Sequence, residues 1–172
     1  MKFGFAISLA LLGLAQSAGA QTAEPVKCLS IMQAEALVTY LLPKAVDASR
    51  VACSASLPAT SPLMIANSER LAKYRAASES AWPKAKSAVS VLAGERLPPG
   101  IDDALLRPIA DAMFTQLIGQ EIKQKDCALI GKIYGDLAPM PSANLASLAI
   151  TIVQASEKEG KRRDIPICKA PA

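Results

Sequence analysis

The sequence predicts an all-α fold: a compact bundle of six or seven short helices stapled by two disulfides. Three observations carry this expectation. Alanine and leucine dominate a chain that is 51% hydrophobic but only 4% aromatic, and both residues favour helix. Apolar residues recur at three- and four-residue spacing, while strand alternation and Asn-Gly or Asp-Gly turns are missing. Four cysteines accompany a complete absence of histidine, so disulfides are a better reading of them than a metal site.

The first twenty residues stand apart from the domain. "MKFGFAISLALLGLAQSAGA" carries one positive charge, Lys2, then an apolar run from Phe3 to Ala15, then small residues with Ala18 and Ala20 in A-x-A positions. This is the pattern of a secretory signal peptide cleaved after Ala20, and the run is too short for a membrane anchor. Residues 21–172 are expected to form a single helical domain with a short basic C-terminal tail. The expected location is the periplasm or the extracellular space, with no transmembrane segment left after cleavage. In such a compartment an even cysteine count reads as two disulfides among Cys28, Cys53, Cys127 and Cys168.

The helices follow in order. Ser30 is a candidate N-cap for a helix with Ile31, Ala34, Leu37, Val38 and Leu41 on one face. Pro43 is expected to end that helix and open a second one, from about Lys44 to Cys53. Ser61 with Pro62 suggests the next start, with Asn67 as a rival, in a helix through Leu63, Leu71 and Tyr74 to about Ala81. Pro83 suggests another helix carrying Val89 and Leu92, closed by Gly94. Asp102 is the cap expected for a helix on which Leu105, Ile109, Met113 and Leu117 repeat, with Pro108 bending it or marking its true start. Asp126 is expected to cap a helix bearing Ile130, Ile133, Tyr134 and Leu137. Ser142 is expected to cap the last helix, whose core face is Leu145, Leu148, Ala149, Ile152 and Val153 and which ends near Lys158.

A break at Pro43 leads to a definite disulfide pattern. One unbroken helix would hold Cys28 and Cys53 roughly 37 Å apart, whereas bridged Cα atoms lie within about 7 Å. Doubling back at Pro43 would bring them together. The short "APMPS" loop would likewise return the last helix towards Cys127. The expected bridges are therefore Cys28–Cys53 and Cys127–Cys168, each closing a helical hairpin, with Cys168 structural and not reactive.

Function is bounded mainly by what is missing. Without histidine there is no Ser-His-Asp triad or Cys-His pair. No P-loop, dinucleotide-binding glycine pattern or G-x-S-x-G occurs, and no cofactor is expected. The formal charge of +4, one less after loss of Lys2, is too weak to argue for nucleic acid. Seven aromatic residues, Trp82 among them, are too few for a stacking platform. A hydrolase working only with carboxylates, drawn from Glu35, Glu69, Glu79, Asp102, Asp103 and Asp111, ranks last, because a catalytic pair cannot be recognised from spacing.

Two features suggest contacts. Gly131 and Gly135, in a stripe with Ala128 and Ala138, cost a helix about 1 kcal/mol each; close approach of a neighbouring helix would offset that, or a partner groove. Lys158, Lys161, Arg162 and Arg163, followed by Lys169, suit a solvated helix end or contact with an anionic surface at about 1 kcal/mol per charge. In outline the frame is similar to the plant invertase and pectin methylesterase inhibitors, helical bundles with four cysteines. Their first cysteine pair is closer together, so the likeness is one of architecture. The expectation is an exported, non-enzymatic protein that binds an envelope protein. A carrier of a lipid or other apolar small molecule is the alternative.

Overall fold

The computed structural model describes residues 28–65, 68–94, 97, 100–137, 139–158 and 166–168. Among them are five α-helices: α1 (Ile31–Cys53), α2 (Glu69–Ala93), α3 (Asp103–Glu121), α4 (Cys127–Asp136) and α5 (Ser142–Lys158). Two single-turn 3-10 helices, Pro62–Met64 and Gln124–Asp126, precede α2 and α4. The fold is the expected all-α bundle with two disulfides, but the chain is divided differently.

α1 is the axis of the bundle, with α2, α3 and α5 all packed on it. Its start is fixed by a reciprocal cap: the Ser30 hydroxyl accepts from the Gln33 N–H, and the Ser30 N–H donates to the Gln33 side chain. Each helps satisfy the open backbone groups of a helix start. Contrary to expectation, α1 does not stop at Pro43; its 23 residues run through it. An interior proline costs about 3 kcal/mol through the lost hydrogen bond and the crowded ring. Here the ring is buried within α1, and packing on several sides outweighs the local penalty. Pro83 and Pro108 likewise lie inside α2 and α3 instead of starting helices.

The start of α2 also differs. Ser61 and Pro62 initiate only the short 3-10 turn. The true cap is Ser68, whose hydroxyl accepts from the Leu71 N–H at 3.2 Å. α3 begins as expected, with the Asp102 carboxylate accepting from the Ala104 N–H at 3.1 Å. Asp126 precedes α4 but makes no side-chain cap bond, and α5 already includes Ser142.

The disulfide pattern is the main correction. The bridges are Cys28–Cys168 and Cys53–Cys127, not the two hairpin closures. The cause is the continuity of α1. With no break at Pro43, Cys28 and Cys53 sit beyond opposite ends of a helix about 34 Å long. Each therefore meets the partner at its own pole. The Cα atoms lie 5.0 and 5.5 Å apart, within the normal range.

Each bridge belongs to one half of the core. At one pole Leu29 and Ile167 form an isolated parallel bridge. The Leu29 N–H donates to the Pro166 carbonyl at 2.7 Å, and the Cys168 N–H donates to the Leu29 carbonyl at 2.8 Å. Both side chains join a cluster with Leu37, Tyr40, Trp82, Val89, Leu106 and Ile150. At the other pole Cys53 and Cys127, both fully buried, pack with Val46, Leu63, Leu71, Tyr74 and Leu145.

Two predicted faces are turned. On α3 the buried residues are Leu106 and Ala110. The predicted repeat Leu105, Ile109, Met113 and Leu117 points outward, at 62, 49, 39 and 51% exposure. On α5 Leu145, Ala146 and Ile150 are buried while Leu148 and Ile152 are exposed. Among the described residues no helix is long and apolar enough to cross a membrane.

Candidate functional site

The six carboxylates weighed as catalysts do not form a working pair. Glu69 pairs with Lys73 at 2.8 Å on the surface of α2, and Asp103 with Lys86 at 3.0 Å. Asp102 caps α3, and the Arg107 guanidinium pairs with Glu79. Asp111 faces Lys44 at 2.9 Å, and Glu35 on α1 is half-buried. Among the described residues no group of three or more acidic or cysteine side chains is placed to hold a metal ion.

Asp111 instead anchors a cluster that sequence reasoning missed. The fully buried Tyr40 of α1 donates its hydroxyl to Asp111 of α3. Its ring lies against Trp82 of α2, with centroids 4.8 Å apart. The Arg107 guanidinium of α3 sits over the Trp82 and Tyr40 rings, at 5.4 and 5.7 Å. The buried Ser78 hydroxyl of α2 donates to the Tyr40 carbonyl at 2.7 Å. Burial, then the hydrogen bond to Asp111, raises the Tyr40 pKa well above the usual tyrosine range. The pair with Glu79 raises that of Arg107. A neutral phenol and a tightly paired guanidinium fasten three helices together and offer no general acid or base near pH 7. Residues 71 apart in the chain build this pair, so no local motif announces it.

The best candidate for a binding site lies at the other pole. A cleft of about 290 Å³ opens between α1, α4 and α5. Val46, Leu63, Tyr74 and Leu145 form its buried floor; Val38, Leu42, Ile130, Leu137 and Ala149 form its walls, and the exposed Ile133 stands at its mouth. The only polar side chains that line it are Ser49, Tyr74 and Tyr134. Burial raises the Tyr74 pKa, with the nearby Arg70 opposing, so its phenol stays neutral.

Tyr134 is held from outside the cleft. Arg70 lies over its ring at 4.8 Å and donates to its carbonyl at 3.2 Å. Beyond Tyr74 a wider, more polar depression of about 620 Å³ is lined by Ser68, Glu69, Arg70, Lys73 and the 139–142 segment.

α4 reaches this position because of its glycines. A Cβ on buried Gly131 would lie 3.2 Å from Leu57 Cδ1 and 3.6 Å from the Ser61 hydroxyl; one on Gly135 would lie 3.9 Å from Pro62. The segment that comes close is thus the loop and 3-10 turn after α1, not a helix. Of the basic tail, Lys158 is the last residue of α5. Its side chain, together with Lys161, Arg162, Arg163 and Lys169, lies outside the described residues, as does the signal-peptide segment.

No protein-family model, curated protein or solved structure matches this chain.

Proposed function

We propose that this is an exported, non-enzymatic protein of the cell envelope that works by binding a partner protein, with the apolar cleft between α1, α4 and α5 as the seat of recognition. The observation that carries the reading is the cleft itself: an open, almost wholly apolar surface without a nucleophile or an ionised side chain among its lining residues. Such a surface recognises shape and apolar area and performs no chemistry. Its size favours a protein partner over a carried ligand. Enclosed small-molecule sites usually span roughly 300–1,000 Å³, and this cleft is at the bottom of that range and open. One or two Leu or Phe side chains from an amphipathic partner helix fill it. Export is supported by the signal-like N-terminus and by the pairing of all four cysteines, which calls for an oxidising compartment.

Methyl NMR of the oxidised protein tests the site. Saturable shifts at Val38, Leu42, Ile133 and Leu137 with an amphipathic helical peptide, and none with a medium-chain fatty acid below its micelle concentration, are expected. The reverse pattern transfers the cleft to the lipid-carrier reading, and silence from both removes it as a binding site. Export is tested separately: N-terminal sequencing from the native host should begin at Gln21, and intact Met1 overturns it.

A further inference from the structure

We infer that the outer face of α3 is a self-association surface, on which a second copy of this chain packs with its own α3 running antiparallel. The starting observation is the missing charge. Between Asp103 and Glu121, α3 has only two charged side chains, Arg107 and Asp111, and both turn inward, to Glu79 and to Tyr40 with Lys44. Its exposed residues from Ala104 to Gln120 are all uncharged, and they include Leu105, Ile109, Met113 and Leu117. A water-facing helix ordinarily carries its charge on that side.

Two observations select a second copy as the occupant. The first is the charge at the ends of the face. Asp102 and Asp103 are exposed at its start; Lys123 and Lys125 are exposed just past its end, beside Glu121. Antiparallel pairing sets the acidic start of one copy against the net basic end of the other, at both ends at once. It also opposes the helix dipoles favourably. The second is the position of Ala112, the middle residue of the 19-residue helix and exposed on this face. A two-fold axis there places the smallest side chain where the helices cross, with Ile109 and Met113 on either side. That is the self-complementary arrangement an isologous dimer requires. The acidic residues bracketing the face argue against an anionic membrane.

The patch is about 28 Å by 10 Å, smaller than the roughly 800 Å² per partner of a standard interface. The dimer is therefore weak, with a Kd on the order of tens of micromolar, towards the transient end of the range. Sedimentation equilibrium of the oxidised protein from about 5 µM to 1 mM is expected to show monomer and dimer. Ile109→Lys, at an exposed position, should weaken the dimer at least tenfold with an unchanged circular dichroism melt. Lys123→Glu with Lys125→Glu should weaken it most at low salt. Ala112→Cys should give a disulfide-linked dimer on mild oxidation, where a Thr60→Cys control does not. A monomer at 1 mM, or a dimer indifferent to Ile109→Lys, overturns the inference.

Discussion

Removing the inner bridge by Cys53→Ala with Cys127→Ala tests the architecture most directly. The bridge spans 74 residues, and a loop of that length limits the unfolded chain by about 4.5 kcal/mol on the chain-entropy relation. The outer bridge spans 140 residues, but the inner one short-circuits most of that loop. With the inner bridge in place the effective outer loop is about 66 residues, so the outer bridge contributes nearly the same amount. The bridges are nested, and neither dominates. For a domain of this size 1 kcal/mol moves Tm by about 2–4 °C. The double variant should therefore melt roughly 9–18 °C lower, as read by circular dichroism at 222 nm. Alanine keeps both β-carbons in the core, so little of that fall comes from lost packing. Thiol titration of the native variant supplies an independent check. Nested pairing leaves Cys28–Cys168 intact and no free thiol, whereas hairpin pairing would have left two. A fall in Tm below about 4 °C, or two thiols per chain, refutes the reasoning.

Three other outcomes follow from the packing and the charges. Tyr40→Phe removes a hydrogen bond to a carboxylate with 37% of its side chain exposed, so the cost is at the low end of the charged range, about 1.5 kcal/mol, or 3–6 °C in Tm. Folding raises the Tyr40 pKa. Its stabilisation is therefore complete below the unfolded value near pH 10 and drains away as pH rises through the folded one; a wild-type advantage that stays constant from pH 8 to 12 contradicts this. Gly131→Leu should lose about 1–3 kcal/mol through overpacking against Leu57, read by urea denaturation, and a neutral result would mean that the loop yields freely. Replacing Lys161, Arg162 and Arg163 with Gln should leave Tm unchanged and weaken co-sedimentation with anionic vesicles at low salt; wild-type protein that ignores such vesicles ends the surface-contact proposal.

The helical class was legible because composition and period agree along the chain, and Ser30 and Asp102 could be recognised as caps from residue type alone. What stayed hidden was decided at long range. Pro43, Pro83 and Pro108 are strong local stop signals, yet all three lie within continuous helices because neighbours on the far side of the chain hold them there. Misreading Pro43 alone also reversed the cysteine pairing. On α3 both the Leu105–Leu117 row and the Leu106–Ala110 row are apolar, so periodicity establishes a helix without choosing its buried side. Ser61 and Ser68 are equally good caps in isolation. The apolar residues of the cleft could be read as core-forming, but the gap between α4 and α5 could not. The Tyr40–Asp111 link gave no signal, since its partners are ordinary residues on separate helices.

The pole where Leu29 meets Ile167 has a mechanical consequence. Cys28 and Cys168 are joined with their Cα atoms 5.0 Å apart, and every described helix lies on the chain between them. A pull applied to residues before Cys28 and after Cys168 therefore runs through one sulfur–sulfur bond and bypasses the helices. Tension stretches that link without unravelling the bundle until a thiol or reductant cuts it. Only then do the helices, and the inner bridge behind them, bear the load. Reduction at one peripheral bond would thus turn an inextensible knot into a chain that yields under force.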